Sequence, residues 1–410
     1  MNLILGNNGD GKSSVLKGLA LAALAPVIQR SGYLPYSLVR RPRINESVVK
    51  IRAVLTGSER LATSKRTSEI DLQAHIQPEG VGRRDFFVAD EDASSPLVKR
   101  IRNDFDPAFF VVGYGATRRV EVEQYSEASA QKRRRPRYQR VATLFEDHIA
   151  LRPLTAWLPA MERRKARRRE VLSLMNACLP TEVRFEGKLD RQDKEYMFRF
   201  EGNETPFPAL SDGYRAFIGW VADLLGHLCD VCPASGRLSR LSGIVLVDEI
   251  DLHLHPEWQR TIVPRVASAF PNLQFVLTSH SPLVTGTLSR ANIFVTVEGS
   301  DGTPEVRQLS EEIHGKSAEQ VLLSSYFGLQ TTRAPSFERS LAKKAEDATG
   351  STPIDAVKYI KALTEGSAAL APLPAGGPQS RRPPSRSRPS ARRRAVEKVT
   401  TKSAKAKRRK

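Results

Sequence analysis

The stretch GIVLVDEIDLHLHP at residues 243–256 joins an apolar, β-branched run to an abrupt series of polar residues. The same pattern recurs in LQFVLTSHSP at residues 273–282. Such runs are typical of buried parallel strands whose carboxyl ends carry chemistry. Because ligands bind at that edge of an open α/β sheet, Asp248, Glu249 and His280 are predicted to lie side by side there.

A phosphate-binding loop near the start of the chain would complete such a site. Residues 6–13 read GNNGDGKS and fit the pattern G-x-x-x-x-G-K-[ST], between a short apolar run at residues 3–5 and a helical run. Glycines allow the backbone N–H groups to point inward, and the helix N-terminus adds positive potential. The residues predicted to hold the phosphates of ATP are Gly6, Asn7, Asn8, Gly9, Asp10, Gly11, Lys12, Ser13 and Ser14.

The loop and the acidic pair together predict hydrolysis of ATP with Mg²⁺. Lys12 is expected to reach the β- and γ-phosphates, and the Ser13 hydroxyl and Asp248 are expected to bind Mg²⁺. Glu249 is placed to polarise the attacking water, because phosphoryl transfer depends mainly on positioning and charge neutralisation. His280 is expected to donate to the γ-phosphate.

Two other groups of potential metal ligands are not expected to bind a metal. His253 and His255 lie on an extended segment and need a third ligand, which no Cys, His or carboxylate cluster in the sequence supplies. Cys229 and Cys232 form a single Cys-x-x-Cys pair at the end of an apolar helix, which is a weak metal signal. We therefore expect buried thiols there.

A further helix begins within FPALSDGYR at residues 207–215. Ser211 and Asp212 are suitable N-caps, and the first turn of the helix offers free N–H groups. Residues 210–214, LSDGY, resemble the Leu-Ser-Gly-Gly-Gln signature of ABC-type ATPases. Their position between the phosphate loop and the acidic pair also matches that of the signature.

The chain from residue 1 to about 330 resembles the soluble ABC-like AAA-family ATPases, the RecF/SMC/OLD-like group of bacteria. It is most similar to predicted ATP-binding proteins, some of which are the ATPase half of Septu-type anti-phage systems. The matching segments are residues 113–118 (GYGATR), 144–145, 210–215, 248–259, 278–282, 314–318 (HGKSA), 321–322 and 326–329.

The resemblance implies the fold and the assembly. The expected fold is an α/β P-loop NTPase of ABC-ATPase type, with a mainly parallel sheet and an inserted helical lobe. The expected assembly is a head-to-tail homodimer, in which ATP at Lys12 of one subunit is closed over by Ser211 and Gly213 of the other. Asp251 would lie at that interface.

The sequence departs from the group in two places. Relatives carry an antiparallel β-subdomain ahead of the phosphate loop, including groups that touch adenine, whereas only five residues precede Gly6. We therefore expect a misassigned start or a shortened chain. The glutamine loop of ABC ATPases is not placed, because Gln124 is a weak match, while Tyr114 and Arg118 belong to the group's own motif nearby.

Composition divides the 410 residues into three parts. We predict an ATPase domain at residues 1–330 with a helical lobe at about 140–235, a helical extension at 331–366, and a tail at 367–410. Within the domain, residues 45–110 are expected to form strands with loops, and residues 292–297 and 305–309 a hairpin. Three cysteines and the lack of a signal peptide or membrane span predict a protein of the bacterial cytoplasm, with no membrane partner.

Positive charge is concentrated in three segments. The net charge is +19, and the tail carries 14 Lys or Arg and one acid, which is +13. The tail has almost no large apolar side chains, so it is predicted to be disordered. Two alternatives for its role are equal: it contacts nucleic acid, or it is solvated and has no function. Residues 132–140 and 163–169 carry positive charges so densely that the charges repel one another unless a polyanion is nearby. For these two segments we therefore favour contact with a nucleic acid over solvation alone.

Three rival functions were compared with the ATPase. VEGSD at residues 297–301 is similar to the opening of a Toprim nuclease, but the later Asp-x-Asp is missing, so nuclease activity is expected only from a separate partner. A catalytically inactive module would have lost Lys12 or Glu249, and both are present. The nucleotide-binding subunit of a membrane transporter is the alternative that we keep, although LHLHP at residues 252–256 favours the soluble group.

Overall fold

A computed structural model shows how these segments fold. It describes residues 1–36, 38, 47–54, 69–79, 84–88, 95–104, 106–120, 136–190, 192, 194–299 and 304–340. The chain forms two units, Met1–Thr332 and Arg333–Lys410. In the second unit only residues 333–340 are described, of which 335–340 are helical, so most of the predicted extension and the whole predicted tail lie outside the described residues.

A six-stranded sheet forms the centre of the first unit, in the order β12-β11-β1-β10-β9-β5. All neighbours are parallel except the pair of β11 and β12. The predicted mainly parallel sheet is therefore confirmed. Its strands are β1 (Asn2–Leu5), β5 (Val111–Tyr114), β9 (Gly243–Val247), β10 (Leu273–Thr278), β11 (Ile293–Glu298) and β12 (Pro304–Arg307).

Both faces of the sheet are covered, which is why its strands read as continuous apolar runs. Leu3 and Leu5 enter one core cluster and Ile4 enters the other, because successive side chains of a strand point to opposite faces. Helix α1 (Lys12–Ile28) covers the second face with Leu16, which is fully buried. Truncating such a leucine to alanine typically costs about 2–5 kcal/mol of unfolding free energy.

A second sheet packs on α1 and accounts for the strands predicted between residues 45 and 110. Antiparallel strands β2 (Ser47–Val54), β3 (Glu69–Pro78) and β4 (Asp85–Val88) form it. Leu72, Ala74 and Ile76 are buried at every second position of β3, as expected for a strand with one covered face. The same range also contains helix α2 (Pro96–Arg102), which the sequence did not predict.

The predicted helical lobe is only partly helical. Residues 136–231 contain helices α3 (Pro136–Gln139), α4 (Ala142–Phe145), α5 (Lys165–Cys178) and α6 (Asp212–Val231). Between α5 and α6 lies an antiparallel sheet of β6 (Val183–Leu189), β7 (Tyr196–Phe200) and β8 (Asn203–Pro206), which corrects the mostly helical prediction. Its side chains alternate in burial, and the Phe185 and Phe198 rings stack with centroids 4.6 Å apart.

The predicted hairpin near the end of the domain is confirmed. Strands β11 and β12 pair with Val297 opposite Glu305, and residues 300–303 between them lie outside the described residues. The remaining helices are α7 (Pro256–Gln259), α8 (Ile262–Ala269), α9 (Pro282–Thr285) and α10 (Ala318–Leu322). None of the helices in the described ranges has the length and apolar character needed to cross a bilayer.

Candidate active site

The phosphate loop connects β1 to α1 and is shaped by its glycines. Gly6, Gly9 and Gly11 all have positive φ angles, of 152°, 90° and 89°. A Cβ atom at Gly6 would lie 1.9 Å from the Oγ1 atom of Thr296, so this position has no room for a side chain. The local backbone therefore requires glycine for both conformation and space.

Lys12 is buried within this loop. Its Nζ donates hydrogen bonds to the carbonyl oxygens of Gly6 and Asn7, at 2.9 and 2.8 Å. Burial lowers the pKa of Lys12, while the negative charges of Asp10, Asp248, Glu249 and Asp251 oppose that shift. The ammonium is therefore already turned into the loop and lies within electrostatic reach of the acidic pair.

The acidic pair is held in place by Thr278, the last residue of β10. The Thr278 hydroxyl donates to Oδ1 of Asp248 at 2.5 Å and accepts from the backbone N–H of Glu249 at 2.7 Å. Thr278 is fully buried and Asp248 is nearly so. One side chain thus fixes both the carboxylate expected to bind Mg²⁺ and the backbone of the expected base. Thr278 begins the TSHSP segment, but its role in holding the acidic pair is not visible in the sequence.

Glu249 has a strained backbone. Its φ angle is 48°, in the left-handed region, which costs a residue with a side chain about 1–3 kcal/mol. Three hydrogen bonds hold this conformation: the N–H donates to Thr278, and the carbonyl oxygen accepts from Nη2 of Arg118 at 2.6 Å and from the backbone N–H of Leu252 at 3.0 Å. Strain of this kind clusters at functional sites, because the surroundings must impose it.

Magnesium would find oxygen ligands at this edge. The part of the chain that the structure describes has no group of three or more His, Cys, Asp or Glu suited to a metal. A Mg²⁺ ion in a nucleotide site needs fewer, because it keeps waters and uses one or two protein oxygens together with phosphates. Ser13, half-buried at the start of α1, and Asp248, with Oδ1 already engaged by Thr278, fit that requirement.

His280 lies at the same edge. It is exposed and follows β10, which pairs with β1 on one side and with β9 on the other. Thr278 is opposite Ile4, so the histidine follows a strand whose end adjoins the beginning of the phosphate loop. The structure thus brings Lys12, Asp248, Glu249 and His280 to one edge of the sheet.

The signature-like segment contacts the loop that follows Glu249. Ser211 is the exposed N-cap of α6, and its side chain makes no capping hydrogen bond. A Cβ atom at Gly213 would lie 2.3 Å from the carbonyl oxygen of His253, which itself has a φ angle of 62°. Glycine is therefore required at 213 by close packing within one chain.

A second contact ties α6 to the segment after the acidic pair. The rings of Tyr214 and Trp258 meet edge to face, with centroids 4.3 Å apart. Both donate to Oε1 of Glu182, from Trp258 Nε1 at 2.8 Å and from the Tyr214 hydroxyl at 3.4 Å. Burial alone would raise the pKa of Glu182, but these hydrogen bonds hold it below its usual value.

His255 makes a contact that caps a helix, and the two thiols of the Cys-x-x-Cys pair are buried or half-buried. His255 is the N-cap of α7, and its Nδ1 accepts from the backbone N–H of Glu257 at 3.4 Å. Cys229 is buried as predicted, and burial raises the pKa of its thiol to about 12, whereas Cys232 is half-buried.

The GYGATR segment begins in β5, the strand beside β9, and continues into the loop after it. Tyr114 is buried and its hydroxyl donates to Asp223 of α6 at 2.9 Å. Arg118 reaches the Glu249 carbonyl, so the segment approaches the acidic pair. Sequence reasoning named both residues but gave them no role, and Gln124 lies outside the described residues.

Several arginines of the two central basic runs make contacts within the chain. Arg137 is fully buried and donates to the carbonyl oxygens of Asn103, Asp106 and Phe109. Arg140 is buried too, with its guanidinium 5.4 Å from the ring centre of Phe110.

In the second run, Arg167 pairs with Glu170 and donates to the carbonyl oxygens of Pro233 and Gly236. Arg168 pairs with Glu162 and donates to the Gly187 carbonyl. Arg167 and Arg168 therefore bond within the chain, and these two side chains are not free for the predicted contact with a nucleic acid. The cations that remain exposed on this run are Arg163, Arg164, Lys165 and Arg169.

Fold and site together define a P-loop ATPase domain: a mainly parallel sheet, a glycine-rich loop between β1 and α1, and an acidic pair after β9. Residues 1–285 match the family model described as "AAA domain, putative AbiEii toxin, Type IV TA system". The chain belongs to this family of AAA-domain ATPases.

Similar proteins include components of two named systems. The Septu protein PtuA of Bacillus mycoides is 27% identical over 337 residues, which are 80% of this chain and 41% of the relative. The Retron Vc95 probable ATPase of Vibrio cholerae is 43% identical over 97 residues, which are 24% of this chain and 19% of the relative. The chain thus spans less than half the length of either.

Among solved structures, an SMC head bound to the C-terminal winged-helix domain of ScpA aligns with 75% of this chain and 90% of its own, at 14% identity and a TM-score of 0.43. The SMC head domain of Thermotoga maritima aligns over the same shares at 15% identity and a TM-score of 0.37. Both scores are below 0.5, so the fold assignment rests on the strand order and the family instead.

Proposed function

We propose that the chain binds ATP with Mg²⁺ and hydrolyses it to ADP and phosphate. The observation that carries the proposal is the double hydrogen bond of Thr278, which sets Asp248 and the backbone of Glu249 beside the strand that leads to Lys12. If the two acids had only a structural role at the end of the strand, they would not need a buried hydroxyl that bonds both the Asp248 side chain and the strained backbone of Glu249.

Each residue has a role that its surroundings allow. Phosphate oxygens would replace the Gly6 and Asn7 carbonyls as acceptors for Lys12, because an anion is the stronger partner for an ammonium. Bound Mg²⁺ would neutralise charge on the phosphates, held by the Ser13 hydroxyl and the free oxygen of Asp248. Glu249 would accept the proton of the attacking water, and exposed His280 would donate to the γ-phosphate.

Replacing Glu249 with Gln tests the reaction. We expect phosphate release to fall to a small fraction of the parental rate while ATP binding persists, because the amide cannot accept the proton of water. Glu257→Gln is the matched control, since Glu257 is an exposed acid of the same segment. Parental turnover in the Glu249 variant would refute its assignment as the base, and a parental protein without turnover would refute the proposal.

The second part of the proposal is a head-to-tail homodimer. Ser211 caps the start of the 20-residue helix α6 without using its hydroxyl for the cap, and a helix N-terminus favours an anion. The exposed end of α6 would therefore close over ATP held at Lys12 of the partner. The Glu249→Gln variant should sediment as a dimer with ATP and as a monomer without it.

Ser211→Glu should abolish that dimer by placing a carboxylate against the phosphates. Ser242→Glu adds the same charge at another exposed serine and should leave the dimer intact. A monomer in every condition would contradict the dimer proposal without affecting the proposal of ATP binding.

The third part is coupling to a nucleic acid, in anti-phage defence or DNA repair, beside a separate nuclease. It is supported by relatives from Septu and retron systems and by the four cations that remain exposed at the start of α5. Each phosphate contact to duplex DNA adds about 0.9 to the slope of log affinity against log salt. Removal of the tail 367–410 or reversal of the exposed α5 cations should reduce that slope, and an unchanged slope in both variants would exclude nucleic acid as their partner.

A further inference from the structure

Arg118 is a buried cation with most of its hydrogen-bonding capacity unused. Its side chain leaves the loop after β5 and is only 8% exposed. Nη2 donates to the carbonyl oxygen of Glu249 at 2.6 Å, while Nε and Nη1 are enclosed and have no partner among the described residues. A buried donor without a partner is unfavourable, so its retention needs a reason.

The surroundings of the guanidinium are acidic. Burial lowers the pKa of Arg118 to about 10, and the carboxylates of Asp248, Asp251 and Glu249 oppose that shift. Oδ1 of Asp251 is also enclosed without a partner in the described part of the chain. The guanidinium is therefore, with the Lys12 ammonium, one of two positive charges that interact with these three carboxylates, and it lies next to the backbone of the proposed base.

We infer that Arg118 is a positioning residue for ATP hydrolysis. Glu249 has a φ angle of 48°, and Thr278 holds its N–H. Its carbonyl oxygen accepts from Arg118 at 2.6 Å, the shorter bond and the only one from a side chain among the described residues, and from the backbone N–H of Leu252 at 3.0 Å. The peptide groups on both sides of the Glu249 Cα are thus fixed, and with them the direction in which its carboxylate leaves the backbone. Arg118 would act through Glu249 without touching ATP. This inference rests on the proposed ATPase function.

The site also allows a direct rescue experiment. Arg118 lines a cavity of about 480 Å³ together with Thr117, Arg119, Arg215 and Leu252. Truncation to alanine would extend this cavity to the Glu249 carbonyl, so a free guanidinium ion from solvent could occupy the vacated position. Arg119 is an exposed neighbour on the same cavity, which makes it a matched control.

We expect Arg118→Ala to lower kcat by about 100-fold, the loss typical of a small misplacement of a catalytic group, with little change in the affinity for ATP. Millimolar guanidinium chloride should restore a saturable part of kcat, whereas methylammonium, which lacks the planar fork of donors, should not. Arg119→Ala should keep the parental kcat and show no response to guanidinium.

Other outcomes would overturn the inference. A parental kcat in Arg118→Ala, or a folded variant that guanidinium does not rescue, would exclude the positioning role. If Arg118→Ala does not fold, Arg118→Lys becomes the test, because it keeps the charge without the geometry, and it must lose kcat while it still binds ATP. Lack of turnover in the parental protein would instead refute the proposed function, so the two failures are distinguishable.

Discussion

Replacing Thr278 with Val tests the geometry of the site most directly. Valine has the same shape as threonine, so the fully buried position stays filled while the hydroxyl is lost. Two groups then lose their partner: Oδ1 of Asp248, which accepts at 2.5 Å, and the backbone N–H of Glu249, which donates at 2.7 Å. The substitution removes polar contacts without creating a cavity.

The expected loss of stability follows from those two groups. A buried donor or acceptor left without a partner costs about 1–3 kcal/mol, so two such groups lower the free energy of unfolding by about 2–6 kcal/mol. A water molecule that hydrogen-bonds to either group would make the loss smaller. We expect a lower denaturant midpoint with an unchanged slope, as for a change in stability alone. ATP turnover should fall by about 100-fold, because the acidic pair is no longer held in register.

Two controls separate the hydroxyl from the packing. Thr278→Ser keeps the hydroxyl and loses one methyl group, so it should cost about 1 kcal/mol and keep most of the turnover. Thr285→Val removes another fully buried hydroxyl, one that donates to the Ser281 carbonyl outside the acidic pair, and should leave turnover intact. If Thr278→Val matched the parental protein in stability and turnover, the argument from the shared hydroxyl would be wrong.

Three further predictions follow from particular contacts. Gly213→Ala should destabilise the domain and lower turnover without loss of ATP binding, since the added Cβ would lie 2.3 Å from a backbone carbonyl oxygen. Thermal unfolding and phosphate release test this. A variant with the parental melting temperature and turnover would refute the close packing. Arg167→Glu should lower the melting temperature through its lost ion pair and carbonyl contacts, whereas Arg169→Glu on the exposed face should change only the salt dependence of DNA binding. Alkylation at pH 8 should modify Cys232 before Cys229, because Cys232 is only half-buried, whereas Cys229 is buried. Burial raises the pKa of both thiols, that of Cys229 to about 12. Peptide mass spectrometry shows the order, and the reverse order would contradict the prediction.

The strands that carry the site were predictable because their signal is local. β9 and β10 are apolar runs that end in polar residues, and that pattern alone placed Asp248 and His280 at one edge of a parallel sheet. The strands β6 to β8 were missed between two helices, because each is short and alternation over so few residues is a weak signal.

Roles that depend on distant partners could not be predicted from local patterns. The basic runs were predicted from their charge to contact a nucleic acid, yet Arg167 binds carbonyls 66 and 69 residues away, and Arg137 binds carbonyls 34 and 28 residues away. Thr278 and Arg118 lie in segments that match the resembled group, but their roles could not be assigned, because the contacts arise only when β10 and β5 flank β9. The roles of these residues depend on which elements become neighbours in the fold, and a single sequence does not state that.

The position of β1 at the middle of the sheet has a consequence for how the protein is made. Leu3 pairs with Leu277 on one side and with Ile293 on the other, so its partners are synthesised some 270 to 290 residues after it. At about 5–20 residues per second, the ribosome delivers the second partner roughly 15–60 s after β1 has left the tunnel. Until those partners are synthesised, the apolar strand β1 has no neighbouring strand with which to pair. Contacts so distant along the chain slow folding and expose it to aggregation. Because the phosphate loop starts from β1, a nascent chain cannot complete the nucleotide site until His280, the candidate site residue farthest along the chain, has been synthesised.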